Sequence, residues 1–174
     1  MGMDGLKGNT SISSYQNFDG TNLTIAGVEE KASGLRGSAG VFLGVGTDFT
    51  KDAMGVLDFK GTYNYDDKGL FNQNLRVRNT VGVKSAATQI RYSPLSVNIP
   101  LNNKTTLYAN PHYVGKYNYK TNQWTNSAGI FAGATQKLTD KTSLSLEVQR
   151  YNLQDIKDNS GKNWGVNAII SWKF

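Results

Sequence analysis

Histidine occurs once in the 174 residues, at position 112, and cysteine does not occur. Together these facts exclude a multi-histidine metal site, thiolate catalysis, cysteine-based metal binding and disulfides. Any imidazole relay must run through His112, and a relay needs a base, an orienting group and a nucleophile in one place. No Gly-x-Ser-x-Gly or His-x-Ser pattern accompanies it. The expectation is a hydrogen-bonded His112, no catalytic residue, no metal and no cofactor.

The acids and bases carry more information. Asp58 and Glu147 fall on the polar parity of alternating segments, near Lys60 and Gln149. Paired acids for glycoside chemistry lack further support. In a narrow interior these two are expected to pair with cations, because a buried unpaired charge is costly. The same polar parity carries Arg36, Lys60, Arg76, Arg78, Lys84, Arg91, Lys116 and Lys173, in a chain whose formal net charge is +6. An interior lined this way has a positive potential and favours anions.

Strands must position these groups. The chain has 19 Gly, 3 Pro, 38% hydrophobic residues and a mean hydropathy of -0.46. No apolar run approaches the roughly 18 residues of a spanning helix. The clearest alternation is at the end, where Trp164, Val166, Ala168, Ile170, Trp172 and Phe174 share one face against Asn163, Gly165, Asn167, Ser171 and Lys173, with Ile169 the single departure. Leu144, Leu146 and Val148 repeat the pattern, as do Leu75, Val77, Val81 and Val83. So do Leu57, Phe59, Tyr63 and Tyr65, and Leu35, Ala39, Val41, Leu43 and Val45, where Phe42 breaks the polar face. Between Gln89 and Leu101 the apolar parity slips at Pro94, which predicts a bulge, and Pro111 predicts a bulge or broken pairing in the next strand. Ser11 to Phe18 and Asn22 to Val28 form one more hairpin around Asp19-Gly20, less regular than the rest. The fold expected is a single all-β domain over 1–174, an antiparallel up-and-down transmembrane β-barrel of about ten strands, within roughly eight to twelve. Tyr63, Tyr65, Tyr117, Tyr119, Trp164, Trp172 and Phe174 are expected to form its aromatic girdles.

An even strand count puts both termini at one end, together with short turns at Asp66 to Gly69, Leu101 to Lys104 and Thr139 to Lys141. Longer connections, Lys120 to Asn126 and Gln154 to Asn163, fall at the other end. Trp124, in the first of these, is expected to be an interface anchor.

The ending Ile169-Ile170-Ser171-Trp172-Lys173-Phe174 resembles the terminal strand of bacterial outer-membrane β-barrel proteins, which close on an aromatic residue after alternating apolar positions. The resemblance covers the architecture of most of the chain, has this strand as its one discrete motif, and points to no subfamily. It implies outer-membrane lipid as surround, the bacterial outer membrane as location, and barrel assembly machinery that reads the C-terminal strand. Met1-Gly2-Met3-Asp4-Gly5 lacks the basic and apolar regions of a signal peptide, so a leader is expected to have been replaced.

The leading functional expectation is a narrow passive pore, not an enzyme, with an anion-preferring lumen lined by Arg36, Asp58, Lys60, Arg76, Arg78, Arg91, His112, Lys116 and Glu147, and small anionic solutes as partners. Nucleic acid is not expected, since basic and aromatic residues mostly take opposite faces. One alternative is a closed structural or adhesive barrel acting through its outer loops. The other is a soluble lipocalin-like barrel whose apolar parity faces a ligand inside.

Overall fold

The computed structural model describes residues 3–17, 22–34, 36–47, 53–155, 157 and 163–174. Among them are ten strands: β1 Met3–Asn17, β2 Asn22–Gly34, β3 Gly37–Thr47, β4 Ala53–Asn64, β5 Phe71–Gly82, β6 Ala86–Pro100, β7 Thr105–Asn118, β8 Gln123–Lys137, β9 Thr142–Arg150 and β10 Trp164–Lys173. Each pairs antiparallel with its sequence neighbours, and β1 closes on β10 from Asn9↔Lys173 to Asn17↔Gly165. Closure pairs every edge, the requirement for backbone that meets hydrocarbon instead of water. The first hairpin is longer than the sequence suggests: β1 begins at Met3 and β2 runs on to Gly34, while Asp19-Gly20 lies outside the described residues.

Parity decides what faces outward. Along β4, Val56 and Asp58 are buried inside, whereas Phe59 and Tyr63 are exposed outside. The same rule sets Leu43, Val45, Val81, Leu146 and Ile170 on the outer wall, with Leu43 and Val45 each 66% exposed. A continuous apolar belt of this kind is stable against lipid and a liability in water. It is also the reverse of the soluble ligand-binding barrel, which needs this parity inside.

The phase slip at Pro94 is a bulge in β6. Partners jump from Tyr92↔Tyr113 to Val97↔Ala109 on one side, and from Asn74↔Ser93 to Asn72↔Ser96 on the other. The extra residue restores outward parity to Val97 and Ile99. Pro111 keeps regular register with Ile130 of β8 and faces the β6 bulge on its other side, where its carbonyl accepts a hydrogen bond from the Ser93 hydroxyl. The two prolines thus share one break: a residue without an N–H sits where the opposing strand is already unpaired.

The start of β1 and the end of β10 lie at one end with the turns after β2, β4, β6 and β8; the end of β9 and the start of β10 are at the other. The turn after β4 is fixed by Asp66, whose carboxylate accepts from the backbone N–H groups of Lys68, Leu70 and Phe71. Gly69 completes it at φ +69, where a side chain would be strained. The connection after β7 is shorter than expected. The Asn118 side chain accepts from Lys120 and Thr121 N–H, Asn122 takes φ 53, and β8 starts at Gln123. Trp124 is therefore a strand residue on the outer wall, and Gly115 beside it is bare enough for the indole to lie across it. The Asp158 to Gly161 stretch of the last connection lies outside the described residues; before it Leu153–Asp155 forms a short 3-10 turn.

Candidate functional site: the lumen

The polar parity brings Asp58, Lys60, Arg76, Arg78, Arg91, His112, Lys116 and Glu147 into one interior, as the sequence predicts. Arg36 is a correction. It sits in the turn between β2 and β3 and reaches Asp67 across the rim at 3.5 Å, because the strand ends before its side chain can enter the lumen. Lys84 likewise lies in the β5–β6 turn rather than inside, and Lys173 is exposed at the terminal rim.

Asp58 is fully buried and takes two arginines. Arg78 grips it from the paired position with Nε to Oδ1 at 2.8 Å and Nη2 to Oδ2 at 2.9 Å, and Arg76 binds Oδ2 through Nε and Nη2. Two guanidiniums give this carboxylate four hydrogen bonds, three on Oδ2 and one on Oδ1, and leave one positive charge over. Lys60, one step closer to the termini, bonds Glu29 of β2 at 2.8 Å and lies 5.8 Å from the Phe42 ring centre. The sequence pattern did not single out Glu29, yet Glu29 and Glu30 are adjacent, so alternation must turn one of them inward.

Glu147, on the facing wall, is held differently. Its carboxylate accepts from Tyr108 Oη, Gln149 Nε2 and Asn167 Nδ2, and Gln149 in turn accepts from Tyr151 Oη. Among the described residues no cation completes this set, contrary to the expectation that both acids pair with bases. Neutral donors do the work because β7, β9 and β10 present hydroxyls and amides here.

Arg91 has no carboxylate partner among the described residues. Its guanidinium lies 4.9 Å from the Phe131 ring centre, a cation–π contact with an inward phenylalanine that sequence reading passed over. His112 is buried beside the same ring, 5.5 Å centre to centre, with Nδ1 3.0 Å from the Asn110 carbonyl. A carbonyl only accepts, so this bond places the proton on Nδ1. No hydroxyl or carboxylate among the described residues bonds the ring, which leaves no assembled relay.

The second feature missed is apolar. Phe42 does turn inward and packs with Ile25 and Val56, against which Leu23 and Met54 lie half-buried. The ring fits because Gly27 and Gly44 are bare: a Cβ on either would stand 2.5 Å and 2.8 Å from it.

These walls divide the lumen into two chambers. The lower, toward the termini, holds about 480 Å³ and is walled by amides and hydroxyls such as Asn74, Ser96, Asn98 and Asn110. The upper holds about 380 Å³ and sets Leu23, Ile25 and Met54 against Arg78 and Lys116. Arg76 and Arg91 line both, so these two guanidiniums form the partition.

Tyr63, Tyr65, Trp172 and Phe174 are exposed at the terminal end, Tyr63 and Tyr65 ring to ring at 5.9 Å. Tyr117, Tyr119 and Trp164 ring the other end; Tyr117 and Tyr119 stack edge-on at 4.9 Å, and Trp164 carries the Arg150 guanidinium at 5.3 Å.

A closed ten-stranded antiparallel barrel with an apolar outer belt, aromatic ends and a charged interior is a transmembrane β-barrel, the architecture of bacterial outer-membrane proteins. No protein-family model matches the chain, and no curated protein matches it. Among solved structures it is similar to the de novo designed protein TMB2.3, with 16% identity, a TM-score of 0.49, and 98% of this chain and 97% of that one covered. It is also similar to the KdgM porin solved in complex with disordered oligogalacturonate, with 11% identity, a TM-score of 0.46, and coverage of 95% and 99%. A third is a loop-deletion form of OmpT, an outer membrane protein of Vibrio cholerae, with 12% identity, a TM-score of 0.43, and coverage of 88% and 54%.

Proposed function

We propose that the barrel is a narrow passive pore of the bacterial outer membrane that prefers small anions and performs no catalysis. The observation that carries the reading is the partition. Arg76 and Arg91 line both chambers, Arg76 shares its one carboxylate with Arg78, and Arg91 faces a ring instead of an acid. An anion passing from one chamber to the other meets uncancelled positive charge at the partition, and a cation meets the same charge as a barrier. Lys116, in the upper chamber, extends the field toward the long-connection end. Outer-membrane lipid covers the belt, assembly machinery engages β10, and nucleic acid has no part, since the basic strand residues Arg76, Arg78, Arg91 and Lys116 line the interior.

The test is single-channel conductance of the refolded protein in a planar bilayer, with reversal potential under a salt gradient. Resolved steps with anion preference, lowered in Arg91→Ala and lowered further when Arg76→Ala is added, are the expected result. A folded, inserted and silent protein overturns the pore. It would favour the closed barrel acting through the connections at the 151–163 end, a reading supported by how far the Asp58 cluster and the Phe42 cluster fill the interior.

A further inference from the structure

We propose that the upper chamber is a binding site for a small amphipathic organic anion, an aryl or short-chain carboxylate, with its carboxylate at Arg91 and Arg78 and its apolar body on Leu23, Ile25 and Met54. The inference rests on the anion-pore reading for the ligand's way in and out, and adds the class of solute retained.

The two chambers share their arginines and differ in the opposite wall. In the lower chamber Phe131, Leu75 and Ala109 are interspersed among amides and hydroxyls such as Asn72, Asn74, Ser96 and Asn98, so an anion there meets mostly polar groups and no aliphatic cluster. In the upper chamber Leu23 and Met54, backed by the nearly covered Ile25, face the cations across about 380 Å³. Aliphatic groups on the inward parity of a polar lumen are stabilised only by covering one another or by covering a ligand. Ile25, Phe42 and Val56 cover one another almost completely, at 2%, 4% and 1% exposure. Leu23 and Met54 pack on that cluster and remain half-buried, with their other side turned to the cavity.

The cationic side is equally incomplete. Arg91 has its ring contact and no carboxylate among the described residues, and the two arginines on Asp58 leave one charge over. A hydrophilic anion satisfies the cations and leaves the aliphatic wall wet. A cation with an apolar tail does the reverse and is repelled. A carboxylate on a compact apolar body answers both walls at once, and sites of this size combine apolar lining with a few placed polar groups.

The experiment uses the full chain in nanodiscs of zwitterionic lipid, with fluorine NMR of three probes: 3-(4-fluorophenyl)propionate, fluoroacetate and 3-(4-fluorophenyl)propylammonium. Saturable broadening is expected for the first alone. It should weaken about tenfold or more in Arg91→Gln and in the Leu23→Asn/Met54→Gln double variant, the scale set by losing a charge partner or a methylene or two of contact. The double variant changes half-buried side chains, and circular dichroism confirms that each variant is folded. Equal saturable binding of fluoroacetate or of the ammonium probe overturns the proposal, as does full affinity in the double variant. The same aryl carboxylate is then added in the bilayer. Anion-selective current that it leaves unblocked overturns the binding site and keeps the pore; saturable binding to a protein that never conducts overturns the pore and keeps the site.

Discussion

Asp58 and Glu147 are both acids buried in the same lumen, 0% and 6% exposed, and they are stabilised by opposite means. Asp58 is surrounded by charge and Glu147 by neutral donors. The difference follows from the neighbouring strands: β5 sends Arg76 and Arg78 inward beside β4, whereas β7, β9 and β10 send Tyr108, Gln149 and Asn167. Asp58 therefore binds together two guanidiniums that would otherwise repel, while Glu147 fastens three strands.

Asp58→Asn breaks the comparison hardest. It leaves two half-buried cations without their buried carboxylate, and the expected loss is about 3–5 kcal/mol, read from urea unfolding of the barrel in lipid vesicles. Adding Arg76→Ala should restore part of that loss, because it removes the repulsion that Asp58 had absorbed. Glu147→Gln is expected to cost less, about 1–3 kcal/mol, since a glutamine of the same shape still accepts from Gln149 and Asn167 through one oxygen and loses only the charge and the bond accepted from Tyr108 Oη. Equal losses in the two variants would show that burial alone, not the kind of partner, sets the stability of a lumenal acid here.

Asp66 sharpens the contrast as an exposed carboxylate. Its hydrogen bonds from Phe71 and Leu70 N–H, helped by Lys68 and Gly69, hold it below the ordinary 3.8. The folded value is the lower one, so its contribution is present above pH 3.8 and is lost as pH falls through the folded value. Unfolding midpoints should drop in that window in the native chain and change less in Asp66→Asn. This is the smallest of the expected effects, because the group is open to water and its bonds compete with hydration.

Strand alternation made most of the architecture legible. Ten strands, the slip at Pro94, the terminal turns and the inward positions of Arg76, Arg78, Arg91 and His112 all follow from a side-chain period of two read locally. The reading failed where a residue's position depended on where a strand stopped. Parity puts Arg36 and Lys84 inside and composition puts Trp124 in a loop, but whether each stands in a turn or on a wall is set by turn closure, at Asn122 through a positive φ and at Arg36 by the end of the ladder. Period two also says that Phe42 and Phe131 point inward without saying what they meet.

The sequence by itself determined which face of each strand meets lipid and which meets the lumen, because that choice is a property of single strands. Only the tertiary structure decided the partners across the lumen. The pairing of Asp58 with two arginines, the enclosure of Glu147 by neutral donors, the Arg91–Phe131 stack and the division into a polar and an amphipathic chamber join strands far apart in the chain, and their register is fixed only when β1 closes on β10 and every strand's shear is set at once.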